Sequence, residues 1–199
     1  MLAQIGRTTE HPHNNFLEEC YSVVSQLAQH EKDPLPLLAA IHALGHIEDP
    51  RALPLLIENC SHADRDVRFA VAFALSNFAK NPSSVQALMA LMEDPDGGVR
   101  DWATFGLGVL GDADSTEIRE ALLKRTTDLD SDARGEAFVA LANRKESRAS
   151  PALIAELNQG ELSDHLREAA ESFLGDSEQY AEWGPHDFAE ALRLRFVSL

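Results

Sequence analysis

Apolar positions along this chain recur at spacings of three and four, the signature of helices with one buried face. In residues 15–30, Phe16, Leu17, Cys20, Val23, Val24 and Leu27 share such a face. Lys32-Asp33-Pro34 ends the run, because proline disfavours the helical conformation of the residue before it. Residues 35–45 repeat the pattern through Leu37, Leu38, Ile41 and Leu44, with Gly45 expected as the C-terminal cap. The alternation continues. First helices of later pairs are predicted over 50–60, 83–93, 116–126 and 150–158, and their partners over 66–78, 99–110, 132–143 and 163–174. Asp, Ser and Asn stand at many of the starts, where a side-chain oxygen can accept from an unpaired backbone amide. Residues 176–185 are polar and broken by Gly and Pro, with Tyr180 and Trp183 among them, and lead to a last helix over 186–196.

Four of the second helices open on one motif, an acidic turn, an arginine, and a leucine seven residues after it. The arginines are Arg68, Arg100, Arg134 and Arg167, spaced 32 to 34 residues apart. A period of that length means stacked supersecondary units rather than one central core. The expected fold is all-α: a right-handed α-solenoid, or alpha-alpha superhelix, of about five helix pairs closed by a C-terminal capping helix. A single domain over 1–199 is expected, with an N-terminal region and first helix in 1–32, core repeats in 33–175, and connection plus cap in 176–199.

The segments Asp-Pro-Arg-Ala-Leu-Pro-Leu-Leu at 49–56, Asp-Arg-Asp-Val-Arg at 64–68, Val-Arg-Asp-Trp-Ala at 99–103 with Gly-Leu-Gly-Val-Leu-Gly-Asp at 106–112, and Asp-Ser-Asp-Ala-Arg at 130–134 resemble HEAT-like repeats of the phycobilisome-lyase type. The resemblance covers about residues 33–175. It implies that the helix carrying the arginine is the inner one and lines a concave surface. It leaves function open, since such repeats serve scaffolds, adaptors, lyases and a few enzymes.

Composition narrows the choices. With 33 acidic against 17 basic residues the net charge is −16, which repels phosphate backbones and anionic lipid, so no nucleic acid and no membrane partner is expected. Cys20 and Cys60 are too few and too apolar in setting for a disulfide framework or thiolate metal site, and read as buried thiols. The first residues, Met1 to Arg7, show no signal-peptide core, and no stretch reaches the ~20 apolar residues of a membrane span, which points to the cytoplasm.

The recurring arginines have acids close by and read as a structural ladder. Function then falls to the variable inner-helix positions. Five residues after each motif arginine, or its counterpart Leu37, stand His42, Phe73, Phe105, Val139 and Ser172. With Phe69, Asp101, Trp102 and Glu136 they outline a partner-binding face: an aromatic centre flanked by acids and suited to a basic protein partner. Packing between helices is the competing role for the aromatics. An inhibitor of a basic enzyme, such as a toxin immunity protein, is one version of the binding role; a bilin lyase or chromophore-binding chaperone, taking a small-molecule ligand, is the alternative implied by the resemblance. His42 and His46 have metal-ligand spacing but sit at a helix end without further ligands. No catalytic residue, cofactor or metal site is assigned, and the reading is non-catalytic.

Overall fold

Capping chemistry sets where the helices begin. The carboxylates of Asp33, Asp64, Asp96 and Asp130 each accept from an amide in the first turn of the following helix, and the Ser163 hydroxyl does the same. Proline fills the first position of helices at Pro34 and Pro82, where no intrahelical amide is needed. The resulting computed structural model describes residues 16–175 and 177–196. Residues 1–15, on which the leader reading and the start of the first helix fall, lie outside it, as does Asp176 at the head of the connection.

Two compact units divide the chain, residues 1–111 and 112–199. The first holds α1 (Leu17–His30), α2 (Pro34–Ile47), α3 (Leu53–Glu58), α4 (Arg65–Ser76), α5 (Pro82–Leu91) and α6 (Gly97–Phe105), the last continued by a π-helical turn, Gly106–Leu110. The second holds α7 (Thr116–Arg125), α8 (Ser131–Asn143), α9 (Ser150–Leu157), α10 (Asp164–Leu174) and α11 (Pro185–Phe196). Among the described residues there is no strand. The helices form the expected pairs, α1/α2, α3/α4, α5/α6, α7/α8 and α9/α10, and α11 packs on α9 and α10 as the terminal helix.

Second helices of neighbouring pairs stack directly: α2 on α4 and α4 on α6 in the first unit, α8 on α10 in the second. Fully buried Leu44, Leu56, Leu75, Leu88 and Leu107 fill the first unit, and Leu122, Phe138, Leu141, Leu153 and Phe188 the second. Apolar area removed from water at each seam, about 25 cal/mol per Å², is what holds one pair to the next.

Gly45 departs from expectation. Helix α2 runs past it to Ile47 and ends at Glu48, which takes the left-handed conformation at φ 56°. Gly45 is there for closeness: a Cβ on it would sit 2.9 Å from both Cα and Cβ of Ala74 on α4. Gly106 plays the same part between α6 and α4, where an added Cβ would approach Ser76 Cβ to 2.6 Å. Both let inner helices pack backbone against backbone.

Candidate functional site

Three of the four motif arginines, Arg68, Arg100 and Arg134, close their own turns. Nη1 of Arg68 donates to the carbonyls of His62 and Ala63, that of Arg100 to Asp94 and Pro95, and that of Arg134 to Asp128 and Leu129, the residues six and five positions before it every time. The rest of the guanidinium reaches forward. Arg68 grips Asp94, in the turn before α6, with Nε at 2.6 Å and Nη2 at 3.0 Å. Arg65 adds a bond to Asp96 at 2.8 Å, so two arginines of α4 hold the entry turn of α6. Arg134 reaches Glu156 on α9 at 2.9 and 3.2 Å. Arg167 donates to the carbonyls of Tyr180 and Trp183, pinning the connection before α11. Burial pulls the Asp94 carboxyl upward, but Arg68 and the Asp96 amide outweigh it and leave its pKa below the usual range.

A second set of arginines, which the sequence reading passed over, ties the outer helices together. Arg51 binds Asp49 two residues before it and reaches back to Glu18 on α1. In the second unit Arg148 binds Glu146, again two residues before it, and reaches back to Glu120 on α7. The signal was the acid-x-Arg-Ala tetrapeptide shared by 49–52 and 146–149. The Glu146 carboxyl is pushed down to about 2, chiefly by Arg148, with Arg119 contributing.

Aromatic side chains gather on the second helices of the first unit. Asp66, Phe69 and Phe73 line one side of α4, and Gly98, Trp102 and Phe105 one side of α6, all at spacings of three or four. Trp102 is the hub. It stands nearly perpendicular to Phe73, Phe105 and Phe69, with ring centroids 5.0, 5.6 and 6.1 Å away, the edge-to-face geometry that aromatic quadrupoles favour. From α2, His42 and His46 bring their rings to 5.2 and 5.3 Å from Phe73. Phe69, Phe73, Trp102 and Phe105 are half-buried and His46 is exposed, so the rings pack on one another across three helices and still face outward. Burial, and then the neighbouring His46, lowers the His42 pKa and favours its neutral ring.

Asp101, half-buried, adjoins Trp102 on α6. Glu136 lies in the second unit, on α8, where its carboxylate meets His165 Nε2 of α10 at 3.1 Å; burial raises its pKa despite that partner. A polar cavity of about 180 Å³ opens nearby between α8 and α10, lined in part by Arg134, Gly135, Glu156 and His165. Val139, the counterpart of Phe73 and Phe105, is buried, and Ser172 is bonded to Asn143. The aromatic series thus belongs to the first unit. Cys20 is buried, and burial lifts the half-buried Cys60 thiol to about 11. Among the described residues no group of three or more His, Cys, Asp or Glu is placed to hold a metal ion.

Residues 21–108 match the family model for HEAT repeats. They include α2, α4 and α6, and so the whole aromatic face. Protein YibA of Escherichia coli, in strains K12 and O157:H7, is 28% identical over 165 residues, an alignment covering 80% of this chain and 58% of the relative. The chain therefore spans less than two thirds of the length of the curated relatives it matches. The X-ray structure of E. coli YibA superposes with a TM-score of 0.71 at 21% identity, covering all of this chain and 73% of that one. That likeness is one of fold. Among the described residues no helix is long and apolar enough to cross a membrane.

Proposed function

We propose that this HEAT-repeat protein is a non-catalytic binding scaffold or adaptor, acting in the cytoplasm, whose docking surface is the inner face of α2, α4 and α6. One observation carries the reading: Phe69, Phe73, Trp102 and Phe105 form a connected aromatic cluster across successive inner helices and are only partly buried. Aromatic residues that share one surface and keep contact area for a partner are the usual anchors of protein interfaces. Residues 16–111 carry thirteen Asp and Glu against six Lys and Arg, which suits a basic partner and speeds its encounter. An inhibitor of a basic enzyme is one form such a scaffold takes.

A tetrapyrrole-binding role, as in a bilin lyase, needs cations for the propionates. On the inner face Arg68 is committed to Asp94 and two carbonyls, and Arg65 to Asp66 and Asp96, which favours the protein-binding reading.

Affinity capture from the native cell extract, with wild type beside a Trp102→Ala/Phe105→Ala variant, tests it. A protein retained by wild type and lost by the still-helical variant supports the face as the docking surface. Retention of the same proteins by both refutes it.

A further inference from the structure

Two histidines beside the aromatic cluster have a chemistry of their own. His42 and His46 stand four residues apart, a spacing that no other pair of histidines in the chain has. A helix ending at Gly45 would have separated them, but α2 runs unbroken to Ile47. Both therefore lie on one helix, a turn apart, where Cβ atoms are about 6 Å from each other. Phe73 of α4 shows which way they lean: its ring is 5.2 Å from the His42 ring and 5.3 Å from the His46 ring. Both imidazoles rest against the same side chain. His42 is half-buried and His46 exposed, so the pair has an apolar backing and an approach from water.

Two imidazoles at this spacing on one helix face are the smallest chelate a helix can present, the arrangement that zinc-binding helices use. Each nitrogen would meet the ion at about 2.0–2.1 Å. Contact with Phe73 already restricts both rings, so less rotamer freedom is lost when they are fixed by a metal. Imidazole suits zinc, copper and nickel, whereas magnesium and calcium take oxygen ligands. Residues 16–111 carry thirteen acids against six Lys and Arg, and that field raises the local concentration of cations. Among the described residues no third His, Cys, Asp or Glu completes a cluster, which leaves the other coordination positions to water.

We infer that His42 and His46 form a bidentate site on α2 for one divalent transition-metal ion of the zinc class, with water in the remaining positions. The inference goes beyond the docking role and does not depend on it, since the ligands are the chain's own.

The test is a calorimetric titration of the full chain with Zn2+ in a non-chelating buffer, beside His42→Gln, His46→Gln and the double variant. His62→Gln, which removes an imidazole from a turn, is the control, and circular dichroism checks each fold. His46→Gln takes away an exposed ring and keeps the test valid even if loss of half-buried His42 disturbs the packing of α2 on α4. Wild type should hold one ion that excess Mg2+ does not displace. Its affinity should fall about tenfold or more in either single variant, and the double variant should be no weaker than the singles, because the chelate is lost with the first ring. His62→Gln should bind as wild type does. Equal affinity in wild type and His46→Gln, losses that simply add in the double variant, or displacement by Mg2+ would each mean an ion gathered by the acidic surface or by separate imidazoles, and would overturn the inference. A wild type that takes up no Zn2+ beyond the double variant overturns it as well.

Discussion

Arg68→Met removes the guanidinium while keeping most of the apolar stem. Arg68 and Asp94 form an enclosed link between neighbouring pairs, with side chains 12% and 5% exposed. The substitution deletes two charge-assisted bonds to Asp94 and two to the carbonyls of His62 and Ala63, leaving a buried carboxylate whose remaining support includes the Asp96 amide. Breaking a buried pair from one side costs about 3 kcal/mol. Asp94→Asn keeps the shape and some hydrogen bonding and should cost about 2 kcal/mol. In the double variant the two losses overlap, so a double-mutant cycle should return a coupling of about 1.5 kcal/mol. Urea melts of the four proteins, read by circular dichroism, measure each corner. Arg68→Met should also raise the Asp94 pKa, because burial then acts without its main counterweight, and the acid-induced loss of stability should begin at higher pH. If Arg68→Met costs under about 0.5 kcal/mol, or the coupling is zero within error, the pair behaves as a surface salt bridge and the argument from enclosure fails.

Gly45→Ala places a Cβ 2.9 Å from the Cα and Cβ of Ala74; the helix gains propensity worth about 1 kcal/mol, but forcing α2 from α4 costs about 1–3 kcal/mol, so thermal melts should show no gain or a loss, and a clear rise in Tm would contradict the close-packing role. Glu146 has its carboxyl depressed to about 2 from the ordinary 4.5; it stabilises the fold above pH 4.5 and loses that contribution as pH falls towards 2, so Glu146→Gln should flatten the acid limb of a stability profile, and an unchanged limb would reject the assignment. His42 has the opposite window: with its folded pKa below 6.5, only the unfolded chain takes up the proton first, so stability should fall as pH drops through 6.5 and His42→Gln should blunt that fall. Cys60, raised to about 11, should react with Ellman's reagent at pH 8 far more slowly in the native chain than in urea, and equal rates would show that it is not shielded.

Helix pairing was legible in the sequence because three signals agreed at four of the five repeats: the three-four apolar spacing, the Asp or Ser cap, and the arginine seven residues before a leucine. The exceptions arise where one residue type serves two geometries. Gly45 looked like a cap because glycine is common there, but a glycine that admits a neighbouring helix leaves the same mark; Ala74, which makes it necessary, is 29 residues away. The candidate face was readable as a list of ring positions, since Phe73 and Phe105 occupy equivalent places in the repeat. That Trp102 would touch three phenylalanines, and that His42 and His46 would join them through Phe73, depended on how α2, α4 and α6 stack. Glu136 could be placed on α8 from periodicity, but its partner His165 lies on a different repeat and no local pattern links the two. The Arg51 and Arg148 ties share the acid-x-Arg-Ala spelling, but their second partners, Glu18 and Glu120, lie 33 and 28 residues away, where no local pattern marks them.

The forward reach of the inner arginines gives the repeats a direction. Arg65 and Arg68 of α4 grasp the turn that begins α6, and Arg134 of α8 grasps the end of α9, so in both places a pair is clamped near the junction of its two helices by the pair before it. In a chain where stability is a sum of units and seams, α5 and α6 can open while Arg68 keeps its own turn closed through the carbonyls of His62 and Ala63. Loss of α4, in contrast, takes the Arg65 and Arg68 contacts from the entry turn of α6, which keeps the Arg100 bonds to the carbonyls of Asp94 and Pro95. Hydrogen exchange should therefore be lopsided about that seam, with α6 amides never outlasting those of α4, as in a zipper that opens from one end.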